Sequence, residues 1–115
     1  MMIGDATTTG LQAALRALDA RRAAYESNIA NVETPGYKAR SVEFESELRR
    51  AMESGDVSSV TANVSVSREP GRANGNNVNI AREMVGLTET ALTQELLIRA
   101  MNDKYGLIRT ALGNA

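Results

Sequence analysis

The sequence predicts a mainly α protein, in which two long terminal amphipathic helices pack as an antiparallel coiled-coil hairpin around a partly ordered middle segment. The composition is the first reason: of 115 residues 17 are Ala, three are Tyr, one is Phe and none is Trp. A two-layer core almost without aromatic side chains would be thin, whereas Ala and Leu favour helices. The second reason is a pair of apolar heptad patterns, one near each end of the chain.

A chain of this length forms one domain, residues 1–115. We divide it into an N-terminal helix (9–32), a motif turn with a middle segment (33–79) and a C-terminal helix (80–112). Each part is justified below by the spacing of its residues.

The N-terminal helix is predicted to start at Thr9, which forms a capping box with Gln12. Apolar residues then recur at alternating intervals of four and three, which places them on one side of a helix. Thr34-Pro35-Gly36 ends the helix near Asn31, because the residue before Pro favours extended dihedrals and Pro-Gly suits a type II turn. This N-terminal seam consists of Leu11, Leu15, Leu18, Tyr25, Ile29 and Val32, with Arg22 as its one polar member.

The middle segment is predicted to hold one short helix and one short strand. Phe44, Leu48 and Met52 are spaced by four, which indicates a helix within residues 42–52. Between Val60 and Val66, small apolar residues alternate with polar ones, which indicates a strand with one covered face. A lone strand is not stable, so it pairs locally or orders only in a larger assembly. Residues 54–79 are therefore expected to be the least ordered part of an isolated chain.

The C-terminal helix is predicted over residues 80–112, with Asn79 as its N-cap. It repeats the four-three alternation without a skipped step, which is the strongest physical signal in the sequence. This C-terminal seam consists of Ile80, Met84, Leu87, Ala91, Ile98, Met101, Tyr105, Ile108 and Leu112, with Gln94 as its polar member. Further apolar residues lie outside the seam at Val85, Leu92, Leu96, Leu97 and Leu107.

Two kinds of contact would cover these apolar faces. The terminal helices would bury their seams against each other, as amphipathic helices commonly do. That pairing alone leaves the additional apolar residues of the C-terminal helix in water. Repeated lateral contacts with copies or similar subunits would cover them, and contacts that do not close a ring build helical filaments. The pattern thus predicts a helical assembly subunit.

The composition excludes several function classes. The chain has no Cys and no His, which excludes a thiolate nucleophile, a disulfide, an imidazole base and the usual zinc sites. With 13 basic and 14 acidic residues it lacks the basic excess of nucleic-acid binders. We therefore expect no nucleic acid, cofactor, metal or small-molecule substrate. No apolar run reaches transmembrane length, and no cleavable signal peptide is evident.

An enzyme is a rival class that we do not expect, and a helical adaptor or membrane-surface protein is the alternative. The acids Glu43, Glu45 and Glu47 alternate next to two arginines, which is typical of a solvated face rather than a catalytic pair. Arginines between residues 16 and 22 would suit a basic amphipathic helix on a membrane surface. That helix has no Trp or Phe to anchor it, which weighs against the membrane alternative.

Residues 28–39 closely resemble a signature of bacterial flagellar rod and hook proteins: Asn-Ile-Ala-Asn, two variable residues, Thr, Pro or a variable residue, Gly, then Tyr or Phe. The match is complete at Asn28, Ile29, Ala30, Asn31, Thr34, Pro35, Gly36 and Tyr37. The segments 37–48, 75–84 and 102–111 are also similar to proximal rod proteins of this family, whereas distal rod and hook proteins carry extra domains. Residues 54–73 match nothing specific, and Asn79 stands where an acidic cap is common.

The resemblance implies a structural subunit of the flagellar basal-body rod whose terminal helices form the inner tube and transmit motor torque. The implied partners are copies of the chain, other flagellar rod proteins, the base protein joining the rod to the membrane ring, and the flagellar type III export gate. The implied location is the rod in the periplasmic space, reached by export without a cleaved signal peptide. By turn chemistry alone the motif would form an ordinary turn. With the resemblance, its polar side chains are also expected to contact adjacent subunits.

Overall fold

The computed structural model describes residues 5–57 and 60–113, without the side chains of residues 5, 6 and 108. Five elements follow in order: α1 (Asp5–Ala30), β1 (Arg40–Glu43), α2 (Glu45–Ser54), β2 (Asn63–Val66) and α3 (Ile80–Gly113). The molecule is elongated, with extents of 67 × 26 × 14 Å. The prediction of a mainly helical chain, with long terminal helices and a short helix and strand between them, is confirmed.

α1 begins earlier than predicted. It starts at Asp5, so Thr9 lies inside the helix and the predicted capping box is wrong. Packing accounts for the difference, because Gly10 is buried so close to α2 that a Cβ there would lie 2.7 Å from the Met52 sulfur. This contact outweighs the weak helix propensity of the Thr residues in the first turns. At its other end α1 stops at Ala30, as the Pro-Gly signal predicts.

The short helix of the middle segment lies slightly later than its spacing suggests. α2 covers Glu45–Ser54 and ends at Gly55, whose positive φ of 87° lets its amide close the last turn on Ala51 O. Phe44 stands just before the helix and is buried against Ala14, Ala17 and Leu18 of α1. Leu48, Ala62 and Leu97 pack on this cluster, which is the hydrophobic core of the described part of the chain.

The predicted strand is present as β2, and its partner is a strand that the sequence did not reveal. β1 pairs antiparallel with β2, with Val42 opposite Val64 and Ser41 opposite Ser65. The spacing predicts Val42 within the helix, but its segment is extended because α1 hydrogen-bonds the backbone of Arg40 through Asn28 and that of Val42 through Arg21. The two strands form a small sheet beside α1.

α3 packs against α1 mainly through polar and small residues. Asn28 of α1 donates to Glu83 Oε2 over 2.7 Å, and Gln94 donates to Asp19 Oδ1 over 2.6 Å. The contact stripe of α3 runs at helical spacing through Glu83, Gly86, Thr90 and Gln94, which are buried, and Leu97 and Met101, which are half-buried.

The pairing of the two predicted seams with each other is not observed. Hydrogen bonds and close approach hold the contact stripe against α1, and this stripe shares only Gln94 and Met101 with the C-terminal seam. In the C-terminal seam Ile80, Met84, Ala91, Ile98, Tyr105 and Leu112 are exposed, and Leu87 is half-buried. The side chain of Ile108 lies outside the described residues. In the N-terminal seam Leu18 is buried, while Leu11, Leu15, Tyr25, Ile29 and Val32 are half-buried and Arg22 is exposed.

Replacing Gly86 with Ala should destabilise the fold, although Ala normally strengthens a helix. A Cβ at Gly86 would lie 2.3 Å from Tyr25 Cζ, so we expect a loss of about 1–3 kcal/mol from overpacking. Gly106→Ala is the matched control on the same helix, because the nearest atom to its Cβ is 4.0 Å away. Gly106→Ala should raise the free energy of unfolding by about 0.5–1 kcal/mol. Urea unfolding of both variants measures the difference. Equal gains at both sites would show that Tyr25 moves aside without cost.

Candidate functional site

The signature motif forms the end of α1 and a tight turn behind it. The Tyr37 amide donates to Thr34 O over 3.2 Å, which closes a turn with Pro35 and Gly36 at its centre. Gly36 has φ of +75°, as the third position of a type II turn requires. The turn predicted from Pro-Gly is therefore present and reverses the chain after α1.

Asn28 is the buried centre of the motif, with no exposed surface. Its Nδ2 donates to Arg40 O over 2.8 Å and to Glu83 Oε2 over 2.7 Å. Its Oδ1 accepts from the Arg40 amide over 2.9 Å and from the Tyr37 hydroxyl over 3.1 Å. All four hydrogen-bonding positions of the side-chain amide are used. One side chain thus joins α1, the turn, β1 and α3.

Asn76 repeats this arrangement from the segment before α3. It is also fully buried, and its Nδ2 donates to Asn31 O and Thr34 O, both over 2.8 Å. Its Oδ1 accepts from the Val78 amide over 2.8 Å. These two carbonyls follow the end of α1 and also accept turn amides from Thr34 and Tyr37, so each has two hydrogen bonds.

Asn77 extends the same contact to the residue just before β1. Its Oδ1 accepts from the Ala39 amide over 2.7 Å, and its Nδ2 donates to Glu69 O over 3.0 Å. We call Asn28, Asn76, Asn77 and Glu83 the asparagine clamp. It fastens the motif turn to the segment that leads into α3.

Two glycines allow the clamp to close. The two turns approach so closely that a Cβ on Gly75 would lie 3.3 Å from Gly36 Cα. Gly75 also has φ of +86°, a conformation that other residues rarely adopt. At the start of α3, the Arg82 amide donates to Asn79 Oδ1 over 3.1 Å, which confirms the predicted N-cap.

The eight motif residues differ in burial. Asn28 is buried, Ile29, Asn31 and Tyr37 are half-buried, and Ala30, Thr34, Pro35 and Gly36 are exposed. The polar groups of Asn28 are all hydrogen-bonded within the chain, so this side chain has none available to another subunit in this conformation. The tip of the turn, residues 34–36, is exposed to solvent.

Sequence reasoning missed three members of the clamp. In the sequence, Asn76, Asn77 and Glu83 stand out only as part of residues 75–84, the segment similar to proximal rod proteins. The available signal was the density of Asn at positions 74, 76, 77 and 79, since buried Asn side chains commonly satisfy backbone groups of tight turns. Nothing in the sequence alone indicated which carbonyls they would meet.

Arg21 and Glu45 form a second polar link, between α1 and α2. The guanidinium makes two 2.7 Å hydrogen bonds to the carboxylate, donates to Val42 O, and lies 4.7 Å from the centre of the Phe44 ring. The hydrogen bond from Arg21 lowers the pKa of Glu45 to about 2, against the opposing effect of partial burial. This link joins the core to the start of α2.

Replacing Glu45 with Gln should give a small, pH-dependent loss of stability. The folded pKa of about 2 lies below the ordinary 4.5, so the link contributes fully above pH 4.5 and is lost as the pH falls toward 2. Because the Glu45 side chain is 57% exposed, we expect about 1 kcal/mol or less at pH 7. Thermal unfolding from pH 7 to pH 2 measures it, with the exposed Glu53→Gln on the same helix as control. If the unmodified chain were still more stable than Glu45→Gln by the same amount at pH 2, the stabilising role of the Arg21–Glu45 link would be contradicted.

An apolar groove of about 480 Å³ lies between α1, α2 and α3. Its apolar lining includes Leu11, Leu18, Phe44, Leu48, Met52 and Leu97. Among the residues that the structure describes, no group of three or more acids is placed to hold a metal ion, and every buried side-chain nitrogen or oxygen has a hydrogen-bond partner. Within the same ranges, no helix has the length and apolar character needed to cross a membrane.

Comparison with known proteins finds relatives along nearly the whole chain. The chain is 29% identical over 125 residues to the flagellar basal body rod protein FlgB of Bacillus subtilis, covering 97% of both chains. It is 30% identical to FlgB of Escherichia coli, covering 85% of this chain and 86% of the relative. It is 32% identical to FlgB of Cereibacter sphaeroides, covering 75% and 77%. No protein-family model matches the chain.

Proposed function

We propose, on the premise that the chain belongs to the FlgB family of flagellar basal body rod proteins, that its two terminal helices assemble the rod by packing against neighbouring subunits. As a member of this family, the chain is a structural subunit of the flagellar basal body rod, and torque transmission is a general role of that rod. The proposal concerns which surfaces of the chain build it.

The exposed apolar side of α3 is the observation that carries this proposal. Met84, Leu92, Leu96 and Leu107 are between 57% and 72% exposed, although they lie on a helix whose other side packs on α1. A helix with this much uncovered apolar surface is stabilised by further neighbours. The C-terminal seam adds to that surface, because most of its members face solvent in the single chain.

Within one subunit, the proposed unit of assembly is an antiparallel coiled-coil hairpin of α1 and α3. Two hydrogen bonds support the antiparallel arrangement. Asn28, late in α1, contacts Glu83, early in α3. Asp19, earlier in α1, contacts Gln94, later in α3. The contact stripe has the three-four spacing of a coiled coil, but it shares only Gln94 and Met101 with the C-terminal seam. The exposed members of that seam then remain free to pack against other subunits.

The proposed partners are copies of the chain, other flagellar rod proteins, the base protein that joins the rod to the membrane ring, and the type III export gate. The proposed location is the periplasmic part of the basal body, reached by export without a cleaved signal peptide. Membership of the rod family supports the first two partners most directly. The export route is proposed from the resemblance of residues 28–39 to the rod and hook signature.

Deletion and complementation test this function. In the bacterium that carries this chain, loss of its gene should abolish basal-body rods and swimming, and a plasmid copy should restore both. The restored protein should co-purify with detergent-extracted basal bodies. Normal swimming in the deletion strain, or absence of the chain from the basal bodies of the complemented strain, would contradict the proposal.

A further inference from the structure

One face of the small sheet is only half covered. Because side chains alternate along a strand and opposite residues share a face, Val42, Val64, Arg40 and Val66 lie on one side of the β1–β2 pair. The 3.1 Å contact between Ser41 Oγ and Ser65 Oγ belongs to the other side. Val42 is buried, but Val64 and Val66 are 61% and 54% exposed. β2 therefore overhangs the body of the molecule.

This overhang, which we call the valine ledge (Arg40, Val64 and Val66), carries a positive charge. Arg40 is exposed and makes no ion pair with any residue in the described ranges. The exposed Arg68 follows two residues after Val66, and it too has no such ion pair. The ladder continues past Val66, because the Ser67 amide donates to Ala39 O over 2.7 Å. The ledge is apolar with a basic margin.

α3 presents a surface of the opposite kind. Val85, Glu89, Leu92 and Leu96 follow at intervals of four, three and four, which places them on one side of the helix. We call this set the outer stripe. Its three apolar members are 57–65% exposed, and Glu89 is exposed with no ion pair to a described residue. The outer stripe is apolar with an acidic centre.

We propose that the valine ledge of one copy docks on the outer stripe of α3 in a second copy. Apolar area meets apolar area, and the unpaired Arg40 meets the unpaired Glu89, so the occupant of each surface is found on the chain itself. Because the ledge and the stripe are different surfaces, the contact is heterologous and can repeat from copy to copy, as the subunits of a rod require. This inference rests on the proposed function, to which it adds one specific contact between subunits.

Cysteine cross-linking tests the contact directly, since the chain has no Cys of its own. In basal bodies isolated from cells that carry the double variant V66C/L92C, mild oxidation should give a ladder of cross-linked multimers on a non-reducing gel. Each single variant should stay monomeric, because only a ledge-to-stripe contact brings the two positions within disulfide reach. The control is S65C/L92C, whose first Cys lies on the other side of β2 and should give no ladder.

Charge reversal provides the second measurement. Arg40→Glu or Glu89→Lys alone should lower the yield of rods about tenfold, because like charges then face each other, and the combined variant should recover it. Unreduced yield in both single variants, or no ladder from V66C/L92C in basal bodies that contain it, would overturn the docking contact while leaving the rod function intact. Absence of the unmodified chain from basal bodies would instead contradict the rod function.

Discussion

Replacing Asn28 with Leu should unfold a large fraction of the protein under mild conditions. Leu has a similar size but no polar atoms, so the Tyr37 hydroxyl, the Arg40 amide and carbonyl, and Glu83 would each lose a hydrogen bond in a buried site. Buried polar groups without partners cost about 1–3 kcal/mol each, and partial relaxation brings our expectation to about 3–5 kcal/mol in total. Urea unfolding followed by circular dichroism measures the loss.

The matched control for Asn28→Leu is the same substitution at Asn102, which is exposed on α3. It should change the free energy of unfolding by less than about 0.5 kcal/mol. If the two variants were equally stable, the clamp would not be a stabilising element, and the buried position of Asn28 would have to be explained in another way.

Replacing Ile98 with Asp should abolish rod formation and swimming while leaving the isolated chain folded. Ile98 belongs to the C-terminal seam and is 48% exposed in the single chain, so a carboxylate there stays hydrated before assembly. Burial of that unpaired charge between subunits would cost several kcal/mol at every repeated contact. Electron microscopy of basal bodies and swimming in soft agar report the assembled state, and circular dichroism reports the fold.

Asn102→Asp is the control for Ile98→Asp, because it adds a charge to the same helix without removing an apolar side chain. Swimming should be retained in that variant. If cells carrying Ile98→Asp swam normally, the assignment of the C-terminal seam to contacts between subunits would be wrong. Met101, another seam member, is a poorer choice because it lies half-buried in the contact stripe, where a charge would also disturb the fold.

The long helices could be predicted because local signals determine where they begin and end. Pro35 and Gly36 stop α1, and Asn79 caps α3 through a hydrogen bond to the amide of Arg82. Such signals act over a few residues and are legible in the sequence. The predicted start of α1 at Thr9 is wrong. The observed start depends on the packing of Gly10 against Met52, which is far away in the sequence.

The orientation of α3 could not be predicted from apolar spacing. The spacing rule assumes that apolar residues face the helix partner, but Glu83, Gly86, Thr90 and Gln94 face it here. A buried Glu and Gln are stable there only because Asn28 and Asp19 supply hydrogen bonds from α1. In a subunit with several partners, the strongest apolar pattern can belong to contacts that the single chain does not make.

Only part of the candidate site could be predicted, because only part of it is built from residues that are adjacent in the sequence. The motif residues 28–37 stand next to each other in the sequence, so their turn could be derived from Pro-Gly chemistry. The clamp residues Asn76, Asn77 and Glu83 come from a segment on the far side of the middle region. Their role depends on which backbone groups the fold brings to them, and one sequence does not contain that information.

The asparagine clamp also has a consequence for the order in which the chain folds. Its bonds join residues that are far apart in sequence, 55 positions for Asn28 with Glu83 and 45 for Asn76 with Asn31. Helical turns form in about a microsecond or less, whereas closing so long a loop carries an entropy cost that is recovered only when the distant contact is made. We therefore expect α1 and α3 to gain helical structure first, and the clamp to set the rate-limiting step of folding. Until that step, the turn at Pro35-Gly36 has no contact with the segment that leads into α3, and the two terminal helices can still lie far apart.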